Sequence, residues 1–134
     1  GLKLIKKLCQ RLRVPNQFKD LSLLVCKHHS NIHRAKELKA STVLSVLDSF
    51  DVWRKPHLLE QVLLTCQADS QGRQGHTQAP YPQKEYLTQA YQAALSVNVQ
   101  QVIQDGFNGK EIREELNRRR IEAIHDIKQG WIWP

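Results

Sequence analysis

The chain has 134 residues, of which 25% are charged and 40% hydrophobic, with a formal net charge of +7. That length holds one domain, or two small helical lobes, with a core of useful size, and the excess of base points toward a polyanionic partner. The longest apolar stretch, Leu21 to Cys26, falls far short of the roughly 20 residues that a membrane-spanning helix requires, so a membrane partner is not expected.

Methionine is absent, even at position 1. The chain is therefore expected to be an internal piece of a longer protein. Cys9, Cys26 and Cys66 are odd in number and sit among apolar residues at helical spacing, which predicts buried free thiols in a reducing, cytoplasmic setting rather than disulfides. Charge is unevenly placed. Residues 1–40 carry ten Lys and Arg against Asp20 and Glu37, whereas residues 76–134 carry seven bases and seven acids.

Helical periodicity runs almost throughout. Leu2, Ile5, Leu8, Cys9 and Leu12 form a first buried stripe, broken at Val14-Pro15-Asn16. Asn16 is placed to cap a second helix that buries Phe18, Leu21, Leu24 and Val25 and runs into the histidines. Ser41 is read as the cap of a third segment carrying Val43, Leu44, Leu47 and Phe50. Pro56 sits where a first-turn proline is tolerated, ahead of Leu59, Val62, Leu63 and Cys66. Residues 70–82 are rich in Gln, Gly and Pro and read as a loop. They place a boundary between a unit at 1–75 and a second at 76–134. Beyond it, Tyr86, Leu87, Ala90, Tyr91, Ala94 and Leu95 stripe another helix, and Val99, Val102 and Ile103 a short one ended by Asp105-Gly106. A last long helix starts near Gly109 and carries Ile112, Leu116, Ile124 and Ile127. No stretch alternates with period two, so the fold class is all-α.

Few residues look chemical. His29 and His33 lie four apart, on one helical face, a spacing that can hold one metal ion and that also arises by chance in helices. His28 points about 100° away. Cys26 shares the face as a possible third ligand, and it equally fits the apolar stripe. Asp69, in Ala68-Asp69-Ser70-Gln71-Gly72-Arg73, reads as the end of an apolar helix before a glycine turn, either a metal ligand or a helix-end hydrogen bonder. Gly106-Phe107-Asn108-Gly109-Lys110 offers free amides and a lysine to a phosphate, or a plain pair of helix caps. Arg118-Arg119-Arg120 is read as an exposed face offset by Glu114, Glu115 and Glu122. His125-Asp126 lies near the C-terminal end and is discounted as a metal pair.

Several stretches together carry a resemblance. Leu8-Cys9-Gln10-Arg11-Leu12-Arg13-Val14-Pro15-Asn16, His29-x-x-x-His33, Asp51-Val52-Trp53-Arg54-Lys55-Pro56, Ala68-Asp69-x-x-Gly72-Arg73, Tyr81-Pro82-Gln83 and Gly109-Lys110-Glu111-Ile112-Arg113-Glu114-Glu115-Leu116 stand in order along the chain. They resemble the C-terminal third of the bacterial multifunctional CCA proteins, class II tRNA nucleotidyltransferases with an appended HD phosphohydrolase domain. The resemblance implies a parent that adds or repairs the tRNA 3′ CCA end, with magnesium serving nucleotidyl transfer. It also implies an HD site for 2′-phosphates and 2′,3′-cyclic phosphates that uses nickel or a similar divalent ion. Residues 1–75 would be the rear of the HD-type domain and 76–134 a C-terminal helical tail.

By the same resemblance, His29, His33 and Asp69 match family positions of the later part of the metal site. The leading histidine and the His-Asp pair are expected upstream, so tight metal binding and CCA addition are not expected of this chain alone. The expected partners are tRNA and the N-terminal nucleotidyltransferase region of the same protein, with self-association left open. RNA contacts are assigned to Lys3, Lys6, Lys7, Arg11, Arg13, Arg54, Lys55, Arg73, Lys110 and Arg113. The competing reading is a non-catalytic helical scaffold or interaction module with a basic face.

Overall fold

The structure, a computed structural model, describes the backbone of residues 19–73 and 80–134 and the side chains of 23–72 and 80–134. The stripe at 2–12, the Asn16 cap and the middle of the 70–82 segment lie outside the described residues. Helix α1 spans Lys19–His33, and a single 3-10 turn, Ala35–Glu37, redirects the chain into α2 at Ala40–Ser49. Helix α3 spans His57–Arg73, α4 Pro82–Leu95, α5 Val99–Gln104 and α6 Lys110–Gly130. Among the described residues there is no strand, as the periodicity predicts.

Several helix ends follow from local chemistry. Between α2 and α3, Asp51 adopts φ 54°, a left-handed conformation that aspartate tolerates better than most side chains. Its carbonyl accepts the amides of Arg54 and Lys55, closing the turn. Helix α4 opens on Pro82, whose fixed φ suits a first turn. The Asn98 side chain accepts the amide of Gln100 at 2.7 Å and so caps α5. Gly106 at φ 104° and Gly109 at φ 59° then turn the chain into α6, where a side chain would be strained.

Two expected boundaries differ. Helix α2 begins at Ala40, with Lys39 as its cap residue and no side-chain cap bond, so Ser41 lies inside the first turn rather than at the cap. Helix α3 continues through Gly72 to Arg73. Gly72 does not take the positive φ that ends α5, and one helical glycine costs only about 1 kcal/mol. Asp69 is consequently inside the last turn of α3 and not beside a glycine turn.

Helix α6 is the organising element: it packs against α2, α4 and α5, while α3 packs against α1 and α4. One continuous core joins Val25 and Ile32 of α1, Val43, Leu44 and Leu47 of α2, Val62, Leu63 and Cys66 of α3, Tyr86 and Leu87 of α4, and Ile124 of α6. It therefore draws on residues from both sides of position 75. After α6, Trp131 and Trp133 fold back onto the buried Tyr86, with ring centroids 5.4 and 4.9 Å away. Lys128 also donates to the carbonyl of Leu38 at 2.8 Å, tying the end of α6 to the turn before α2. No described helix is long and apolar enough to cross a membrane.

Candidate functional site: a histidine held between three helices

The end of α1 brings His33 against α3 and the start of α4. Its Nδ1 lies 2.6 Å from the hydroxyl of Tyr81, and its Nε2 lies 3.8 Å from Oδ2 of Asp69. Gln83 donates its side-chain amide to the backbone carbonyl of the same histidine at 2.9 Å. The Tyr81 ring stands edge-on to the imidazole, with centroids 5.7 Å apart at 88°. Sequence separations of 48 and 50 residues are thus closed at one side chain.

The surroundings are dry. Asp69 and Tyr81 are buried, and Cys66, one turn before Asp69 on α3, is fully buried as a free thiol. Burial pushes the Cys66 thiol up to about 12, with the nearby Asp69 charge adding to the effect. Burial likewise holds Tyr81 well above the ordinary phenol range, assisted by Cys66 and Asp69, so its hydroxyl stays protonated. A hydroxyl both donates and accepts, and so can serve either tautomer of His33. With the proton on Nε2, Nδ1 accepts from Tyr81; with the proton on Nδ1, Tyr81 accepts.

His29 sits one turn back, its ring edge-on to that of His33 at 5.9 Å between centroids. Its Nδ1 is turned to the backbone carbonyl of Cys26 at 2.8 Å, an arrangement that leaves Nε2 as the outward nitrogen. His28 turns to α2 instead, with Nε2 3.1 Å from the Ser49 hydroxyl and its ring edge-on to Phe50. Burial lowers its basicity, and the charge of Lys27 adds to this. Cys26 is half-buried and free.

The residues present fit a divalent ion only in part. His33 Nε2 and Asp69 Oδ2 lie near one another at 3.8 Å, although two donors bound to one ion at about 2.1 Å sit closer, roughly 3.0 to 3.4 Å apart. Among the described residues, however, no group of three His, Cys, Asp or Glu side chains converges in a way that could hold a metal ion. His33 and Asp69 come together as the sequence suggests, while His29 and Cys26 do not complete a set with them. Tyr81 and Gln83 were the participants that spacing alone did not single out as site residues. The signal was the Tyr81-Pro82-Gln83 stretch itself, two polar side chains flanking a helix-opening proline.

Of the residues assigned to RNA, Lys3, Lys6, Lys7, Arg11, Arg13 and the side chain of Arg73 lie outside the described residues. Arg54, Lys55, Lys110 and Arg113 are exposed. Arg54 is bound at 2.6 Å by Asp51, which offsets part of its charge. The arginine run divides in use. Arg118 binds Glu115 and Glu122, and Arg119 binds Glu115 and reaches across to Asp105 at the end of α5. These partners hold the Glu115 carboxyl down at about 2. Arg120 departs from the expected exposed face. It is half-buried, its guanidinium 4.0 Å from the centroid of the Trp53 ring, and burial lowers its basicity. Its position four residues before Ile124, on the buried stripe of α6, was the sequence signal for this.

Comparison with known proteins places the chain. It is 62% identical over 127 residues to the multifunctional CCA protein of Vibrio cholerae serotype O1, a match covering 95% of this chain and 32% of that protein. The multifunctional CCA protein of Vibrio vulnificus is 62% identical over 124 residues, covering 92% of the chain and 30% of the relative. That of Aliivibrio salmonicida is 56% identical over 124 residues, with the same shares. No family model and no solved structure matches. The chain thus spans about a third of the length of the curated relatives it matches. The chain belongs to the multifunctional CCA proteins and corresponds to their C-terminal part.

Proposed function

We propose that the chain is the C-terminal helical part of a tRNA CCA-adding and CCA-repairing nucleotidyltransferase, where it supplies tRNA-docking surface and part of an HD-type phosphohydrolase site. The observation that carries this reading is the 62% identity to multifunctional CCA proteins over 95% of the chain. In this reading residues 1–75 are the rear of an HD-type domain and 76–134 a helical tail, packed together through one core.

His33 and Asp69 would be the chain's contribution to a divalent metal, with His29 beside them and the remaining ligands drawn from the rest of the longer protein. Bound there, the ion would act as a Lewis acid toward a phosphate ester. The chain's own residues have separate tasks: Asp69 supplies buried negative charge, Tyr81 engages Nδ1 of His33, and Gln83 fixes the end of α1. Docking of tRNA is electrostatic in this account. Counterion release scales with the phosphates neutralised, so bases without acidic partners contribute more than Arg118 and Arg119, which already hold Glu115.

The test is incorporation of CMP and AMP into tRNA lacking its 3′ end, by the full-length protein and by this chain alone. The full-length protein is expected to be active and the chain alone inactive, because the acids here lie on helices and in the turns between them and the sequence holds no Asp-x-Asp pair. A full-length protein that folds and does not extend tRNA would overturn the proposal.

A further inference from the structure

Charge is missing from one stretch of the chain. Residues 86–104 contain no Lys, Arg, His, Asp or Glu, in a protein of which 25% is charged. They form most of α4, the turn after it and the whole of α5. Inward, Tyr86, Leu87, Ala90, Ala94 and Val102 are buried. Outward, Leu95, Val99 and Ile103 remain 51%, 39% and 44% exposed. Val99 and Ile103 stand one turn apart on the same side of α5, and Leu95 ends α4 just before them. Exposed amides, those of Gln92, Gln100 and Gln104, accompany them along the two helices. The first charge past the run, Asp105, is held at 2.8 Å by Arg119. The outer face of α4 and α5 is thus apolar and amide-bearing, without a charged side chain of its own.

We propose that this neutral face of α4 and α5 is where the N-terminal part of the same, longer protein docks. The inference rests only on the chain being the C-terminal part of its family's proteins, and needs neither the tRNA-docking nor the phosphohydrolase reading. A tRNA is a poor fit, because phosphate is held by cations and the face has none. A protein surface fits, because the centres of protein interfaces are depleted in charge. Area then separates a second copy from the tethered part. Three partly exposed side chains offer on the order of 250 Å², a modest apolar patch, whereas a stable complex of separate molecules takes about 800 Å² from each partner. A contact within one chain needs less, since the covalent link supplies a concentration on the order of millimolar. The relatives are about three times as long as this chain, so such a part accompanies it in every copy.

The experiment places the photo-crosslinker benzoylphenylalanine in the full-length protein at position 95 and, separately, at the 90% exposed position 132. Irradiation, digestion and mass spectrometry then identify what each probe touches. Position 95 is expected to join peptides from the part preceding this chain. Its yield should be about tenfold above that of position 132 and constant over about a tenfold range of protein concentration. Adding Val99→Lys and Ile103→Lys to the position-95 protein is expected to cut that yield about tenfold, since each lysine would be left unpaired in the contact. The unsubstituted probe proteins decide the occupant even where the lysine variant fails to fold. The proposal is overturned if position 95 joins a second copy with a yield that rises with concentration, joins added tRNA, joins only residues of this chain itself, or reacts no more than position 132. An unchanged yield in a folded lysine variant overturns it as well. Extension of tRNA by the same proteins bears on the proposed function, whereas the crosslink decides this contact.

Discussion

Replacing Ile124 by alanine tests whether the helices on either side of position 75 form one cooperative unit. Ile124 lies on α6, is fully buried, and belongs to the core that α1 to α4 share. The substitution removes three carbons, about 2.4 kcal/mol of transfer free energy at roughly 0.8 per buried methylene. The cavity left behind raises the cost, and the better helix propensity of alanine returns about 0.4 kcal/mol. A net loss of about 3 kcal/mol results. With an unfolding entropy near 2.1 cal/mol/K per residue over 134 residues, that is a fall in Tm of about 10 °C. Thermal unfolding followed by circular dichroism and by tryptophan fluorescence should shift together, because Trp131 and Trp133 report α6 and α4 while the helical signal reports the whole chain. The exposed Ile132, whose removal should cost under about 0.5 kcal/mol, is the control. A loss below about 1 kcal/mol for Ile124→Ala, or two separated transitions with only one displaced, would refute the single-core reasoning.

Further outcomes follow from particular contacts. Glu115 titrates near 2 when folded against an ordinary 4.5, so its ion pairs stabilise the fold fully above pH 4.5, and that contribution is lost as pH falls toward 2. Urea midpoints between pH 2 and 7 should therefore drop through that window, and Glu115→Gln should flatten the drop; an unchanged profile would contradict the assignment. Cys66, pushed up to about 12 by burial, should resist thiol reagents at pH 8 in the folded chain and react once unfolded in guanidinium. Rapid labelling of Cys66 under native conditions would show the core to be more open than described. Tryptophan at 53 carries both the Arg120 guanidinium and a hydrogen bond to Asp48 at 2.6 Å, so Trp53→Ala should destabilise by about 3 kcal/mol in chemical denaturation.

Much of the fold was legible because apolar residues recur at helical spacing with clear punctuation. Gly106 and Gly109 mark ends that the structure places where the sequence suggests. What stayed hidden has physical reasons. Gly72 looks like a stop but needs no positive φ, so α3 runs on and carries Asp69 into a buried turn. Ser41 looks like a cap, yet the cap position falls two residues earlier, at Lys39, where no side chain makes a cap bond. His125-Asp126, discounted from its place near the C-terminal end, is exposed and lies inside α6. At the site, His29 and His33 were visible as a helical pair, but periodicity is a local signal. Nothing in it says that His33 would meet Tyr81 and Gln83 across nearly 50 residues, or that His28 would turn to Ser49.

The central proposal is that this chain docks tRNA chiefly through its base-rich residues 1–40, which carry ten Lys and Arg against two acids. It is tested most directly by measuring tRNA affinity over a series of salt concentrations for three proteins: the wild type, the combined Lys3, Lys6 and Lys7 to alanine variant, and the combined Arg118, Arg119 and Arg120 to alanine variant. The account predicts that affinity falls steeply with salt, and that the lysine variant both binds more weakly and has a slope flattened by about 2 to 3, as loss of three phosphate contacts implies. The arginine variant should change the slope by less, since Arg118 and Arg119 are held by Glu115 and Arg120 by Trp53. An unchanged slope for the lysine variant, with a large loss for the arginine variant, would contradict the account and place the docking surface on α6.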